Sequence, residues 1–192
     1  MSSYAEGQTH QLVNALEAAS FTANHLTKLG QFHNLNGVKK LLDGLAKIKI
    51  VKHLIDCDAP PSRRKIWKVE DHRKGGQLIW DPTKVKLYLS PKQVEDMSIQ
   101  GHELRGELVS QPVLNANVLD YLLANQQLIP LEWKRDEQGR PHFIYFWGTI
   151  YSDFEDELIV RLMHFMGGRW RSDYDWLDSS MGVVCPSAVS TK

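Results

Sequence analysis

Two aspartates stand two residues apart, Asp56 and Asp58, directly after the apolar stretch IVKHLI. Carboxylates at the end of a strand can share Mg²⁺, as they do in metal-dependent phosphotransferases and nucleases. Such a site needs further acidic residues, or a Lys or Thr, at the ends of later strands, and the sequence does not reveal them. A Mg²⁺-dependent phosphotransferase or nuclease centred on Asp56 and Asp58 is therefore an alternative rather than the leading prediction.

Other catalytic patterns are weaker still. Cys57 follows His53 by four residues, but adjacency in sequence is not the geometry of a catalytic triad. The two cysteines, Cys57 and Cys185, lie far apart and show no zinc-binding spacing. Neither G-x-S-x-G nor a phosphate-binding P-loop motif occurs. We assign no catalytic residue, no cofactor and no metal site, and the sequence favours a protein that is not an enzyme.

A basic stretch offers nucleic-acid binding as a second alternative. Residues 1–75 carry 12 Lys and Arg against 7 Asp and Glu, whereas residues 76–192 carry 11 against 16. Basic side chains around an aromatic ring can follow phosphates and stack a base. Residues 22–44 fit a helix-turn-helix only poorly, because the turn is long. The residues that would bind nucleic acid are Lys39, Lys40, Arg63, Arg64, Lys65, Trp67, Lys68, Arg73 and Lys74.

Aromatic side chains are concentrated near the carboxyl end, where FIYFWGTIY holds five rings in nine residues. If residues 142–151, 157–166 and 169–177 are strands, alternation places the rings of the first and of the third strand each on one side. We expect most of this aromatic face to pack inward and part of it to meet a partner. Its residues are Tyr145, Trp147, Tyr151, Trp170, Tyr174 and Trp176.

The elements that would position these residues indicate an α+β fold. Helical periodicity predicts a helical, basic amino-terminal part over residues 1–60. The segment APPSRR reads as a linker, since two adjacent prolines cannot lie inside a helix. Residues 61–178 then contain a β-hairpin near 66–90, short helices near 102–127 and the carboxy-terminal antiparallel three-stranded meander. Residues 179–192 are predicted to be a loosely ordered tail.

Three segments resemble a recurring group of bacterial open reading frames of unknown function: WKVEDHRKGGQ, PVLNANVLDYLL and FWGTIY. The resemblance implies a bacterial-type cytoplasmic protein and no particular activity. The sequence shows no secretory signal and no apolar run long enough to span a membrane, so we expect a cytoplasmic location and no membrane partner. The leading prediction is a non-enzymatic binding or interaction protein that uses the aromatic face to bind a protein partner or to self-associate.

Overall fold

The computed structural model describes residues 6–31, 35–47, 52–95 and 97–191. The chain divides into two compact units, Met1–Val51 and Lys52–Lys192. The division thus falls before the boundary near residue 60 that the sequence predicts. The segment APPSRR is not a linker between units but part of the second one.

The amino-terminal unit contains three helices, as the periodicity predicts: α1 (Glu6–Ala18), α2 (Ala23–Gly30) and α3 (Leu35–Leu42). Thr22 begins α2 with a capping box, in which its hydroxyl accepts from the His25 amide and its own amide donates to the His25 ring. No described side chain of these helices is buried. Part of the predicted helix-turn-helix, including its turn at residues 32–34, lies outside the described residues.

The second unit is α+β. Its helices are α4 (Pro91–Glu95), α5 (Gly101–Glu107) and α6 (Ala116–Ala124), together with short 3-10 turns. Its strands are β1 (Leu54–Asp56), β2 (Lys68–His72), β3 (Gln77–Ile79), β4 (Val85–Tyr88), β5 (Ser98–Gln100), β6 (Phe143–Ser152), β7 (Leu158–Met166), β8 (Arg169–Trp176), β9 (Ser180–Gly182) and β10 (Ser187–Ser190).

A six-stranded sheet organises this unit. Its order is β4-β10-β6-β7-β8, and β2 pairs with the carboxyl half of β6. Among these described strands, only the β10–β6 pair is parallel. The antiparallel meander β6-β7-β8 has the predicted order and closely matches the predicted ranges. In the fully described stretch 66–90, by contrast, no hairpin forms: β2 pairs with β6, β3 with β1, and β4 with β10.

The carboxyl end is a central strand, and the prediction of a loosely ordered tail was wrong. Ser187, Ala188 and Val189 are fully buried, because β10 lies between β4 and β6. Met181 in β9 is buried as well. The short apolar run AV is therefore core sequence, and its partners lie roughly 40 to 100 residues earlier in the chain.

A wide bulge interrupts β6. Tyr145 pairs with Leu162 and Ile150 pairs with Val160, so that five steps along β6 match two along β7. Gly148 sits in this bulge, where its amide donates to the Leu114 carbonyl and its carbonyl accepts from the Arg73 amide. A β-carbon on Gly148 would lie 2.8 to 2.9 Å from Cβ, Cα and N of Asn115. Only glycine fits this position without movement of the backbone.

The free edge of the sheet, β8, carries its own protection. The Gln126 side chain accepts from the Trp170 amide (3.0 Å) and donates to the Trp170 carbonyl (3.1 Å). Asp173 and Asp175 accept from the amides of Tyr174 and Trp176. These side chains form hydrogen bonds with outward-facing backbone amide and carbonyl groups of β8, which would otherwise be free to pair with another strand.

Replacing Gly148 with alanine is expected to lower the free energy of unfolding by about 1 to 3 kcal/mol, because the new methyl group meets backbone atoms of Asn115. Gly106→Ala in α5 is the matched control, since nothing lies within 4 Å of the position that its methyl group would take. That control should be neutral or gain about 0.5 to 1 kcal/mol. Urea unfolding followed by circular dichroism measures both, and equal effects would contradict the close approach.

Val189→Ala tests the burial of β10. The fully buried side chain leaves a cavity when shortened, so we expect a loss of about 2 kcal/mol in unfolding free energy. Val109, which is 66% exposed, should tolerate the same change within about 0.5 kcal/mol. A loosely held carboxyl end would instead make both variants equally stable.

Candidate functional site

The aromatic side chains do not form one face. Because the β6 bulge shifts the alternation, Tyr145 and Trp147 pack in a core cluster with Val160 and Leu162. Tyr151 belongs to a different cluster, with Trp67, Ile159 and Tyr174. The β8 register places Trp170, Tyr174 and Trp176 on one side of their strand, as predicted. That side is the one to which Tyr151 points, opposite Tyr145 and Trp147, so the prediction of one aromatic face was wrong.

Most of these rings are core residues. Tyr145, Trp147, Tyr151 and Trp170 are each at most 5% exposed. Tyr174 is half-buried, and Trp176 is 39% exposed. Of the six predicted rings, the two near the end of β8 therefore remain available to a partner.

An open pocket of about 250 Å³ lies beside Tyr174. We call it the arginine pocket. The loop before β2 forms one wall, and the middle of β7 and β8 forms the other. Three of its lining residues, Arg63, Arg64 and Trp67, belong to the predicted nucleic-acid-binding set. Arg64 also contacts the ring of Tyr174, which belongs to the predicted aromatic face. Its lining residues are Ser62, Arg63, Arg64, Trp67, Arg161, Ser172 and Asp173.

Arg64 is the cation that the pocket holds in place. Its guanidinium carbon lies 5.0 Å from the ring centroids of both Trp67 and Tyr174, whose rings meet edge to face. Contacts of this kind contribute about 0.5 to 2 kcal/mol each. Within the described part of the chain, the Arg64 side chain forms no hydrogen bond and no ion pair. The two rings thus support the guanidinium, and its planar fork of donors is exposed to solvent.

Arg161 plays a different part, because its charge is already matched. Its two terminal nitrogens donate to the Asp120 carboxylate at 2.6 and 3.1 Å, and its side chain is 11% exposed. Burial disfavours the charge, but the hydrogen bonds and charge interactions with Asp120 and Tyr151 together outweigh it and raise the pKa of Arg161. The Ser62 hydroxyl also donates to Asp120, and the Ser62 carbonyl accepts from Tyr151. This network anchors the loop against α6 and β7, and so fixes the pocket wall.

Among the described residues of the second unit, Lys68, Arg73 and Lys74 are engaged away from the pocket. Lys68 forms an ion pair with Glu70 at 2.8 Å. Arg73 donates to the carbonyls of Leu108 and Gln111, and Lys74 lines a separate cleft. Lys39 is paired with Asp43 in the amino-terminal unit, where Lys40 is exposed; Lys65 is exposed beside Arg64.

Asp56 and Asp58 shape a turn. The Asp56 carboxylate accepts from the Asp58 amide at 3.0 Å, and the Asp58 carboxylate accepts from the Gly76 amide at 2.8 Å. The described residues contain no group of three or more His, Cys, Asp or Glu side chains placed to hold a metal ion. The structure therefore gives the Mg²⁺-dependent alternative no support.

Cys57 lies in the core rather than in a nucleophilic arrangement. Its carbonyl, not its sulfur, accepts from the Asn115 side chain (2.8 Å) and contacts the His72 ring (3.0 Å). His53 bonds the Tyr121 hydroxyl. Burial, reinforced by the nearby charges of Asp58 and Asp56, raises the pKa of the Cys57 thiol.

Five lining or supporting residues were missed by sequence reasoning: Ser62, Asp120, Arg161, Ser172 and Asp173. One signal was available, since Arg161 interrupts the apolar run LIVRLM of β7. A charge inside such a strand calls for a partner. Its partner, Asp120, lies 41 residues earlier and could not be paired with it from spacing alone.

Comparison with known proteins adds no identity. No protein-family model matches the chain, and neither curated proteins nor solved structures include a match. Among the described residues, none of the helices has the length and apolar character that a membrane crossing requires.

The Cys57 thiol should react slowly. With Cys57 only 5% exposed and its pKa raised, little thiolate is present and little is accessible. Alkylation by iodoacetamide at about pH 8, mapped by mass spectrometry, should be at least about tenfold slower in the folded protein than in urea. Faster labelling of the folded protein would restore Cys57 as a candidate nucleophile.

Proposed function

We propose that the protein is a non-enzymatic interaction protein, and that the arginine pocket binds a carboxylate group of a protein partner. One observation carries the proposal. Arg64 is held against Trp67 and Tyr174, and its hydrogen-bond donors are unused within the described chain. A guanidinium fixed in this way loses little conformational freedom on binding, which favours affinity.

The chemistry of the pocket suits a single planar anion. A guanidinium donates two parallel hydrogen bonds to a carboxylate, and each charge-assisted bond contributes about 1.5 to 3 kcal/mol. Arg63 stands beside it as a second cation, with one donor committed to the Trp67 carbonyl at 2.6 Å. Arg161 is neutralised by Asp120, so Arg63 and Arg64 supply the attraction.

An acidic neighbour argues against a long polyanion, since Asp173 lines the pocket itself. Trp67, which would have to stack a base, is only 5% exposed. These features favour one localised carboxylate over a phosphate backbone that crosses the surface.

Nucleic-acid binding remains the alternative, and the exposed run Arg63-Arg64-Lys65 is what favours it. It requires that single-stranded DNA or RNA be retarded in a gel at about 50 mM salt, with retardation that disappears as the salt concentration rises. Binding of this kind, with no response to small carboxylates, would replace the interaction proposal.

A bacterial origin and a cytoplasmic location stay predictions from the sequence.

Titration with N-acetyl-glutamate amide tests the proposal. We expect saturable chemical-shift changes at the Arg64 side-chain N–H in ¹H–¹⁵N spectra, because the carboxylate replaces water on the guanidinium. Arg64→Ala should weaken binding at least about tenfold, and Arg64→Lys should rescue it only in part, since lysine lacks the planar fork.

The matched control is Lys65→Ala, an exposed cation next along the loop, which should bind almost as well as the unaltered protein. Inorganic phosphate in a parallel titration separates the two anion classes, and tighter binding of phosphate than of the carboxylate would contradict the assignment. Equal affinity of the Arg64→Ala and unaltered proteins would exclude the pocket as the binding site.

A further inference from the structure

The turn between β6 and β7 is a second exposed feature of the same unit, with the opposite charge. Phe154 is 73% exposed, and the exposed acids Glu155, Asp156 and Glu157 follow it. The Asp153 carboxylate shapes the turn by accepting from the amides of Glu155 (2.9 Å) and Glu157 (3.1 Å). We call residues 153–157 the acidic turn. It presents carboxylates and an aromatic ring on a fixed backbone.

The acidic turn and the arginine pocket are complementary. Within the described residues, Glu155 and Glu157 form no ion pair, and neither do Arg63, Arg64 and Lys65. The two sets of unmatched charges lie on one unit of a chain whose formal net charge is zero. Complementary patches of this kind attract second molecules and fix their orientation.

Strand β8 sets the distance between the two features. The Trp176 indole donates to Asp153 at 3.1 Å, and Ser172 lines the pocket. Trp176 lies four steps along β8 from Ser172, which corresponds to roughly 13 Å. Trp176 and Tyr174 lie on the same side of β8, so the turn and the pocket are reached from the same side of the sheet. A two-fold axis between them would bring each turn to the other copy's pocket.

We propose that the protein self-associates reciprocally, with the acidic turn of each copy docked in the arginine pocket of the other. A carboxylate of Glu155 or Glu157 binds the Arg64 fork, and Phe154 covers the outer face of the guanidinium. The inference rests on the proposed function, since it names the carboxylate that the pocket binds. The contact is small and electrostatic, so the dimer should be weak and salt-sensitive.

Charge reversal tests this arrangement by sedimentation velocity. The unaltered protein should dimerise with rising concentration at about 50 mM salt and dissociate at about 500 mM. Arg63→Glu/Arg64→Glu and Glu155→Lys/Glu157→Lys should each be monomeric alone, because like charges then meet at both contacts. An equimolar mixture of the two should form a heterodimer, and one chain carrying all four changes should dimerise again.

Two controls separate charge pairing from misfolding and from net charge. Glu132→Lys/Glu137→Lys reverses two exposed acids elsewhere and should leave the dimer intact. Phe154→Ala keeps every charge and should weaken the dimer about fivefold or more through the lost ring contact. Circular dichroism establishes that each variant is folded.

Several outcomes would overturn the inference. They are an unaltered protein that stays monomeric at all concentrations, a dimer that survives either reversal, and a mixture that fails to associate. The N-acetyl-glutamate amide titration on the Glu155→Lys/Glu157→Lys variant distinguishes the two proposals, since this variant keeps its pocket. Binding by this variant, combined with an unaltered protein that stays monomeric, retains the pocket and rejects the dimer, whereas no binding by this variant rejects both proposals.

Discussion

The close approach of Asn115 to Gly148 is the constraint on which the second unit depends. At this point the start of α6 lies directly against the β6 bulge, with no room for a β-carbon. The Asn115 side chain caps α6 and also donates to the carbonyls of Cys57 and Arg73. Four separate segments thus meet at one asparagine and one glycine, and the contact fixes where the helix sits on the sheet.

The bulge at this contact also determines which rings are buried together. By shifting the alternation of β6, it sends Tyr151 to the side of Trp67 and Tyr174. Trp67 and Tyr174 form the floor on which Arg64 rests, and the Arg161–Asp120 pair secures the loop above them. The pocket is therefore a product of the core geometry rather than of a surface loop alone, which explains its fixed guanidinium.

Local patterns predicted the local elements. The α+β class, the amino-terminal helices and the meander follow from helical periodicity and strand alternation, both of which act over a few residues. The placement of β10 did not follow from the sequence, because a short apolar run near a terminus does not indicate which distant strands it pairs with. The separation of the aromatic rings onto two sides of the sheet did not follow from the sequence either. Strict alternation assumes a regular strand, whereas β6 contains a bulge at its contact with the distant residue Asn115. The pocket needed the pairing of Arg161 with Asp120, which only the tertiary fold provides.

The guarded edge of β8 bears on how this molecule can meet others. Gln126, Asp173 and Asp175 already engage backbone groups that a foreign strand would use, so endless strand-by-strand growth of the sheet is discouraged. Encounters at this margin must instead be made through side chains, which can be selective in a way that a bare peptide backbone is not. Because Gln126, Asp173 and Asp175 discourage unspecific strand pairing, selective binding at this edge depends on the arginine side chains beside it.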